Sequence, residues 1–185
     1  MIFEKSGGAV DWLIVGLGNP GQKYEHTRHN VGALALESCA AFFQLRLKKR
    51  CFRLYRRATV DDRALLVQSL TYMNKSGAVL RYFPALPLVV LCDQMDLPAG
   101  KIRLRRGGSS AGHRGLSSVM EQKGDGDFIR IYIGIGRPKG GETVIDHVLG
   151  TIDDDAIWAG IARAGLALAS LIEGKSFEEV ANEYN

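Results

Sequence analysis

The chain alternates short apolar runs with longer segments in which apolar residues recur every three or four positions. Continuous apolar runs are typical of buried strands, whereas the wider spacing is typical of one face of a helix. The runs predict strands at residues 9–16, 52–59, 64–70, 88–92, 101–106 and 128–135. The wider spacing predicts helices at 30–44 and 74–83, from about 116, from 153, and at 177–184. We therefore expect a single α/β domain over residues 1–185, a mixed twisted β-sheet flanked by helices.

Local residues refine several of these elements. Charged and apolar residues alternate at 101–106, as in an edge strand, whereas the wholly apolar run 88–92 indicates a strand covered on both faces. Asn30 and Asn74 stand where short polar side chains commonly cap helices. The glycine-rich segment 106–115 is expected to form a mobile loop that leads into a helix.

Composition favours a soluble globular protein. The chain is 46% apolar and 24% charged, and no apolar stretch approaches the roughly 18 residues that span a bilayer. The scattered Cys39, Cys51 and Cys92 favour reduced thiols over a disulfide frame or a zinc site. The N-terminus does not resemble a signal peptide. We expect a cytoplasmic monomer that binds no membrane, metal or cofactor.

Positive charge is concentrated in two segments. The net charge is +4, but residues 150–185 hold seven acids and two bases, which leaves the first 149 residues at +9. Residues 46–57 hold seven bases in twelve positions, and residues 101–106 hold four in six. Such surfaces attract phosphates, so a nucleic-acid partner is one interpretation. A basic face that serves only solubility is the other.

The segment LIVGLGNPGQKYEHTRHNVG (13–32) holds the densest group of polar side chains. It predicts a strand followed by a polar loop, at the edge where open α/β sheets usually place their chemistry. Its glycines match G-x-G-x-x-G, the pattern of a nucleotide-binding oxidoreductase. Pro20, however, removes one backbone N–H group that such a phosphate loop needs. A strand ending in a Pro-Gly turn explains the glycines but does not explain Asn19.

His29 is a candidate general base because its imidazole lies next to a helix start at this sheet edge. Asp93 follows the apolar strand 88–92 and would lie at the same edge, where its carboxylate could orient the imidazole. Asp96 is the alternative partner, and a purely structural histidine is the other interpretation. No Ser or Cys lies in a nucleophile elbow, and no H-x-x-x-H spacing exists. Attack by water is therefore favoured over covalent or metal-assisted catalysis.

A family resemblance rests on four ordered segments. They are residues 13–32, TYMNKSG (71–77), CDQMDLPAGKIRLRRGGSSAGHRGLSS (92–118) and FIRIYIGIGRP (128–138). Together they resemble bacterial-type peptidyl-tRNA hydrolase, and GNPG followed by TRHN at this spacing is specific to that family. The resemblance implies hydrolysis of the ester between a peptide and the 3′-terminal ribose of tRNA. The implied partner is peptidyl-tRNA, bound through its acceptor stem and 3′ end.

The resemblance also implies roles for individual residues. His29 would activate water as the general base, and Asp93 would orient the imidazole and stabilise its protonated form. Asn19 would help to place the water or the substrate carbonyl. Asn74 would hydrogen-bond the peptide main chain.

Further residues would meet the two ends of the substrate. Tyr24 and Tyr72 would line the cleft that holds the peptide and the 3′ end, and Arg103 and Arg105 would meet tRNA phosphates. Arg114 is a departure, because many members carry asparagine in this place. Arginine cannot accept a hydrogen bond, so it would instead hold a phosphate or a carboxylate. A non-catalytic RNA-binding protein of the same fold, of the intron-splicing type, is the alternative function.

Overall fold

The computed structural model describes residues 10–83 and 85–185, which contain a seven-stranded mixed β-sheet with helices on both faces. The strands are β1 (Trp12–Gly16), β2 (Lys48–Lys49), β3 (Tyr55–Val60), β4 (Ala64–Ser69), β5 (Leu88–Gln94), β6 (Ile102–Arg106) and β7 (Ile129–Gly134). They lie in the order β2-β3-β4-β1-β5-β7-β6. The four central strands are parallel, and the strands at both edges pair antiparallel. The predicted α/β fold class is confirmed.

Two helical layers enclose the sheet. The helices are α1 (Val31–Phe42), α2 (Arg114–Lys123), α3 (Val144–Leu149), α4 (Asp155–Ile172) and α5 (Phe177–Tyr184), with 3₁₀ turns at Gln22–Tyr24, Arg28–Asn30 and Met73–Tyr82. Apolar side chains of α1, α4 and α5 form one core with the sheet. Those of α2 and Met73–Tyr82 form a second core on the opposite face. The short helix α3 was not predicted.

Several element boundaries differ from those predicted. β1 begins at Trp12 rather than at residue 9, which lies outside the described residues. β3 begins at Tyr55 rather than at residue 52, because residues 50–53 form a turn that joins it to the unpredicted β2. β5 continues to Gln94, so Asp93 lies inside the strand rather than beyond it.

Asn30 occupies the predicted N-cap position of α1, but its side chain makes no capping hydrogen bond, and the predicted cap at Asn74 is wrong. The Asn30 side chain makes two hydrogen bonds with the Asn19 backbone instead of capping α1. Its Oδ1 accepts the Asn19 N–H group at 2.8 Å, and its Nδ2 donates to the Asn19 carbonyl at 3.0 Å. Asn74 is an exposed second residue of the 3₁₀ helix Met73–Tyr82, whose N-cap position is Tyr72.

Helix α4 is long and apolar enough by length and composition to cross a membrane, which contradicts the expectation that no such stretch exists. Of its residues, 56% are buried within the protein. The buried residues include Ile157, Ile161, Ala164, Leu168 and Leu171, which recur at helical spacing. Packing against α1 and the sheet therefore accounts for its apolar character.

The edge strand β6 is bonded along its outer side by one amide side chain. The Leu104 N–H group donates to Asn185 Oδ1 at 2.6 Å, and Asn185 Nδ2 donates to the Leu104 carbonyl at 3.3 Å. The prediction that this segment is an edge strand is confirmed.

Candidate active site

His29 and Asp93 meet where β1 and β5 end. The 3₁₀ turn Arg28–Asn30 carries His29 to this edge just before α1. Gly32 lets α1 approach the sheet, since a Cβ there would lie 2.2 Å from the Leu91 carbonyl oxygen. His29 Nδ1 lies 2.7 Å from Asp93 Oδ1. The side chains are 13% and 4% exposed, so a solvent molecule reaches the histidine but hardly the carboxylate.

His113 is a second histidine on the same carboxylate oxygen, with Nε2 2.9 Å from Asp93 Oδ1. Its Nδ1 accepts hydrogen bonds from the backbone N–H groups of Gly115 (3.1 Å) and Leu116 (3.2 Å) at the start of α2. A ring nitrogen that accepts cannot carry the hydrogen, so the His113 proton is on Nε2 and is donated to Asp93.

The same reasoning fixes the tautomer of His29. Its Nδ1 faces the Asp93 carboxylate, which only accepts hydrogen bonds, so that nitrogen carries the proton in the neutral ring. The lone pair is therefore on Nε2. This is the atom that can take a proton from water.

The two imidazoles stabilise the ionised form of Asp93. Burial by itself would raise the pKa of the Asp93 carboxyl, but the adjacent His113 and His29 outweigh it and hold that pKa well below its usual range. A permanently ionised carboxylate is suited to orient an imidazole and to stabilise the imidazolium.

The contact of His113 with Asp93 was not predicted from the sequence. β6 runs antiparallel to β7, so it ends beside the first residue of β7, at the opposite end of the strands from Asp93. Residues 107–113 must therefore return along the sheet before His113 reaches Asp93. The available signal was its place, like that of His29, just ahead of a helix.

Arg130 fixes the path of this returning loop, which was expected to be mobile. Its side chain is fully buried, and its guanidinium donates to the carbonyls of Ser109 (2.5 Å), Gly108 and Gly126. It also lies 4.6 Å from the centre of the Phe128 ring. The loop is thus held to β7 on the way to His113.

Asn19 links β1 to the neighbouring 3₁₀ helix. Its Oδ1 accepts the Met73 N–H group at 2.8 Å, and its backbone is bonded by Asn30 as described above. Among residues 10–83 and 85–185, no partner takes the Asn19 Nδ2 group. The Met73 hydrogen bond holds the Asn19 amide by its oxygen, and the two N–H bonds of the amide remain available to a ligand.

The predicted peptide-binding residues lie together at this edge. The rings of Tyr24 and Tyr72 meet edge to face with centroids 6.4 Å apart, and Tyr72 is 59% exposed. Asn74 is exposed two residues after Tyr72. Tyr72 and Asn74 flank Met73, whose N–H group bonds the Asn19 side chain.

The predicted arginines are all exposed. Arg114 is the first residue of α2, directly after His113, and Arg103 and Arg105 lie on β6. Within the described parts of the chain, none of the three has an ion-pair partner. Asp96, the alternative partner for His29, instead pairs with Arg137 at 2.5 Å and lies outside the cluster.

The cluster His29, Asp93 and His113 could in geometry hold a metal ion, because its ligand atoms lie within 4.8 Å of one another. The tautomer of His113 opposes this, since its Nε2 carries a proton and cannot ligate. The adjacent Cys92 is not a nucleophile either, because burial and the Asp93 charge raise the pKa of its thiol well above its usual value.

Comparison with known proteins identifies the family of the chain. Residues 13–185 match the family described as peptidyl-tRNA hydrolase. The chain is 44% identical to peptidyl-tRNA hydrolase of Shouchella clausii, over 94% of this chain and 99% of that protein. It is 42% identical to that of Bacillus subtilis, over 94% and 97%. The crystal structure of peptidyl-tRNA hydrolase from Acinetobacter baumannii superposes with a TM-score of 0.83 at 31% identity, covering 97% of each chain. The chain therefore belongs to the peptidyl-tRNA hydrolase family.

Proposed function

We propose that this protein hydrolyses the ester between a peptide and the 3′-terminal ribose of tRNA, with His29 as the general base. The observation that carries the proposal is the Asp93 carboxylate, which binds Nδ1 of His29 at 2.7 Å and thereby leaves Nε2 as the basic atom. Membership of the peptidyl-tRNA hydrolase family supports the substrate class.

The geometry supports the following reaction. His29 Nε2 takes a proton from water as the oxygen attacks the ester carbonyl carbon, and Asp93 stabilises the imidazolium. The Asn19 amide would donate to the carbonyl oxygen as its negative charge develops. When the C–O bond breaks, the imidazolium returns the proton to the ribose oxygen, which leaves free tRNA and a peptide carboxylic acid that then loses its proton to solvent.

We assign substrate binding to exposed residues at this edge of the sheet. Tyr24, Tyr72 and Asn74 would contact the peptide and the terminal nucleotide, and Arg114 would bind a phosphate or carboxylate beside them. Arg103 and Arg105 would contact phosphates of the acceptor stem, without reading base sequence. We further propose that the protein acts as a cytoplasmic monomer.

The reaction needs no metal in this proposal, because His113 Nδ1 is occupied by two backbone N–H groups and its Nε2 therefore carries a proton. Activity is expected to be unchanged by chelators, as measured before and after dialysis against EDTA. A loss that Zn²⁺ or Mg²⁺ restores would contradict this part of the proposal.

The test is release of N-acetyl-amino acid from N-acetyl-aminoacyl-tRNA. We expect the native protein to cleave it and His29→Ala to be slower by about 10²-fold or more, with RNA affinity nearly unchanged. Native protein that binds tRNA without cleaving it would support the non-catalytic RNA-binding alternative. Full activity of His29→Ala would refute the assignment of the base.

A further inference from the structure

His29 lies between two residues whose side chains are anchored elsewhere in the protein. Asn30, on one side, bonds the backbone of Asn19. Arg28, on the other side, has a side chain that is only 13% exposed and that bonds His147, 119 positions further along the chain. Arg28 takes no part in the proposed proton transfer, so its extensive bonding requires another explanation.

Three polar contacts hold Arg28 in place. Its backbone N–H group donates to the Gly150 carbonyl at 3.0 Å. Its guanidinium donates to the His147 carbonyl at 3.3 Å and forms an ion pair with Asp153. Gly150 leaves room for the guanidinium, since a Cβ there would lie 2.5 Å from Arg28 Nη1. The guanidinium is therefore bonded within the protein and is not free to bind a substrate phosphate.

The backbone ahead of the 3₁₀ turn is attached to the same segment. Thr27 pairs with Thr151 in an isolated antiparallel bridge, and the Ile152 N–H group donates to the His26 carbonyl at 2.8 Å. Thr27 and Ile152 are buried. The chain that leads into the turn is thus fixed before it reaches Arg28.

His147 attaches this segment to the end of β7. Its buried Nε2 lies 2.9 Å from the Gly136 carbonyl and donates to it, and its Nδ1 lies 3.1 Å from Glu142 Oε2. β7 pairs with β5, the strand that carries Asp93. One continuous set of contacts therefore runs from Asp93 through β7 and His147 to Arg28, the residue next to the candidate base.

We propose that Arg28 is a positioning residue, which holds the 3₁₀ turn so that the His29 imidazole points at Asp93. The role of His29 as a base rests on the proposed function, whereas the effect of Arg28 on the 2.7 Å contact between His29 and Asp93 does not. A base acts only within hydrogen-bond reach of its proton, and a displacement of about 1 Å can cost about 10²-fold in rate. A guanidinium that fixes the turn therefore contributes to the rate without touching the substrate.

NMR of the imidazole protons in the free protein tests the positioning directly. In Arg28→Gln, whose shorter side chain cannot span both acceptors, we expect the His29 Nδ1 proton resonance to move upfield or to be lost by exchange with water. The His113 Nε2 proton, on the same carboxylate oxygen, should keep its resonance. Arg28→Lys should show a smaller change in the same direction. Arg137→Gln, which removes an arginine from an exposed ion pair, is the matched control and should change neither resonance.

Kinetics with N-acetyl-aminoacyl-tRNA measure the consequence for the reaction. We expect kcat of Arg28→Gln to fall about 10-fold or more while KM stays constant. Arg28→Lys should recover part of the loss, because an ammonium keeps the charge but not the fixed fork of the guanidinium. In a His29→Ala background, Arg28→Gln should have no further effect, since no imidazole remains to be positioned.

The outcomes separate this proposal from the hydrolase assignment. An unchanged His29 resonance in Arg28→Gln would overturn it, and so would an unchanged kcat. Equal shifts of the His29 and His113 resonances would show a general loosening of the fold and would also overturn it. A further loss of kcat in the double variant would mean that Arg28 contacts the substrate, which contradicts the proposal. A His29 resonance that depends on Arg28, in a protein that cleaves no ester, would support the positioning and refute only the hydrolase.

Discussion

Asp93 is the residue on which the candidate site depends, because one oxygen of its carboxylate serves two imidazoles. His113 donates from Nε2, since its Nδ1 is occupied by the N–H groups at the start of α2. It therefore satisfies the carboxylate without competing as a base. His29, the partner with a free Nε2, is left as the only one of the two rings that can take a proton from water.

Asp93→Asn tests this arrangement through catalysis. An amide oxygen still accepts one hydrogen bond but lacks the charge that stabilises the imidazolium, so we expect kcat to fall by about 10²-fold or more. Steady-state kinetics with N-acetyl-aminoacyl-tRNA measures this. The matched control is Asp96→Asn, which removes an exposed ion pair with Arg137 and should leave kcat unchanged. A fall in kcat in Asp96→Asn alone would show that Asp96, and not Asp93, is the partner of His29.

Asp93 should also influence stability in acid. The pKa of Asp93 in the folded protein lies below that of an unfolded carboxyl, about 3.9. As the pH falls, the folded state therefore binds this proton at a lower pH than the unfolded state does. The contribution is therefore complete above about pH 4 and is lost as the pH falls towards the folded pKa. Urea unfolding of native protein and Asp93→Asn should show a difference in unfolding free energy that persists to about pH 4 and declines below it. A difference that grows below pH 4 would contradict the sign of the shift.

At the scale of elements, apolar patterning predicted most strands because their burial is set by the residues themselves. It failed where a tertiary contact or a turn decides the boundary. β3 was extended back to Phe52, since nothing in the local pattern separates an exposed ring from a buried one. The contact of His113 with Asp93 could not be predicted from the local pattern either, because only the antiparallel pairing of β6 shows that the loop returns along β7. His29 and Asp93 could be paired in advance because the parallel strands β1 and β5 end at one edge of the sheet, where His29 follows β1 and Asp93 is the last residue but one of β5.

Arg130 is expected to be the main determinant of that loop. Arg130→Lys retains the charge but cannot reach the carbonyls of both Gly108 and Ser109, so a buried ammonium would be left poorly bonded. We expect the unfolding free energy to fall by roughly 2–4 kcal/mol, with a loss of activity as His113 shifts. Urea unfolding and turnover measure the two effects. Arg106→Lys, at an exposed ion pair with Asp127, should change neither.

At the scale of the molecule, charge is divided between the two faces of the sheet. The acidic chain from residue 150 forms α4 and α5, which cover the face that includes Leu104. Arg103 and Arg105 alternate with Leu104 on β6, and Arg103 lies opposite Tyr132 of the second core. They therefore lie on the face away from the acidic helices. A polyanion would be directed to that face, beside the candidate site.

Salt dependence tests this division. Arg103→Gln and Arg105→Gln should each weaken binding of all tRNAs alike, and each should reduce the slope of log affinity against log salt by about one unit. Fluorescence titration of labelled tRNA at several KCl concentrations measures both quantities. Arg63→Gln removes a charge at the β3–β4 turn, at the opposite end of the strands, and should leave the slope unaltered. An unaltered slope in the β6 variants would place the acceptor stem elsewhere.

The amide of Asn185 on β6 has a consequence for self-association. Exposed edge strands recruit further strands from other molecules, because their outward N–H and C=O groups are unpaired. In this protein the outward groups of Leu104, at the middle of the edge, are already bonded by one side chain. The neighbouring arginines add like-charge repulsion between two such edges. The bonded edge of β6 therefore keeps strands of other molecules from adding to the sheet, and this protects the protein from aggregation.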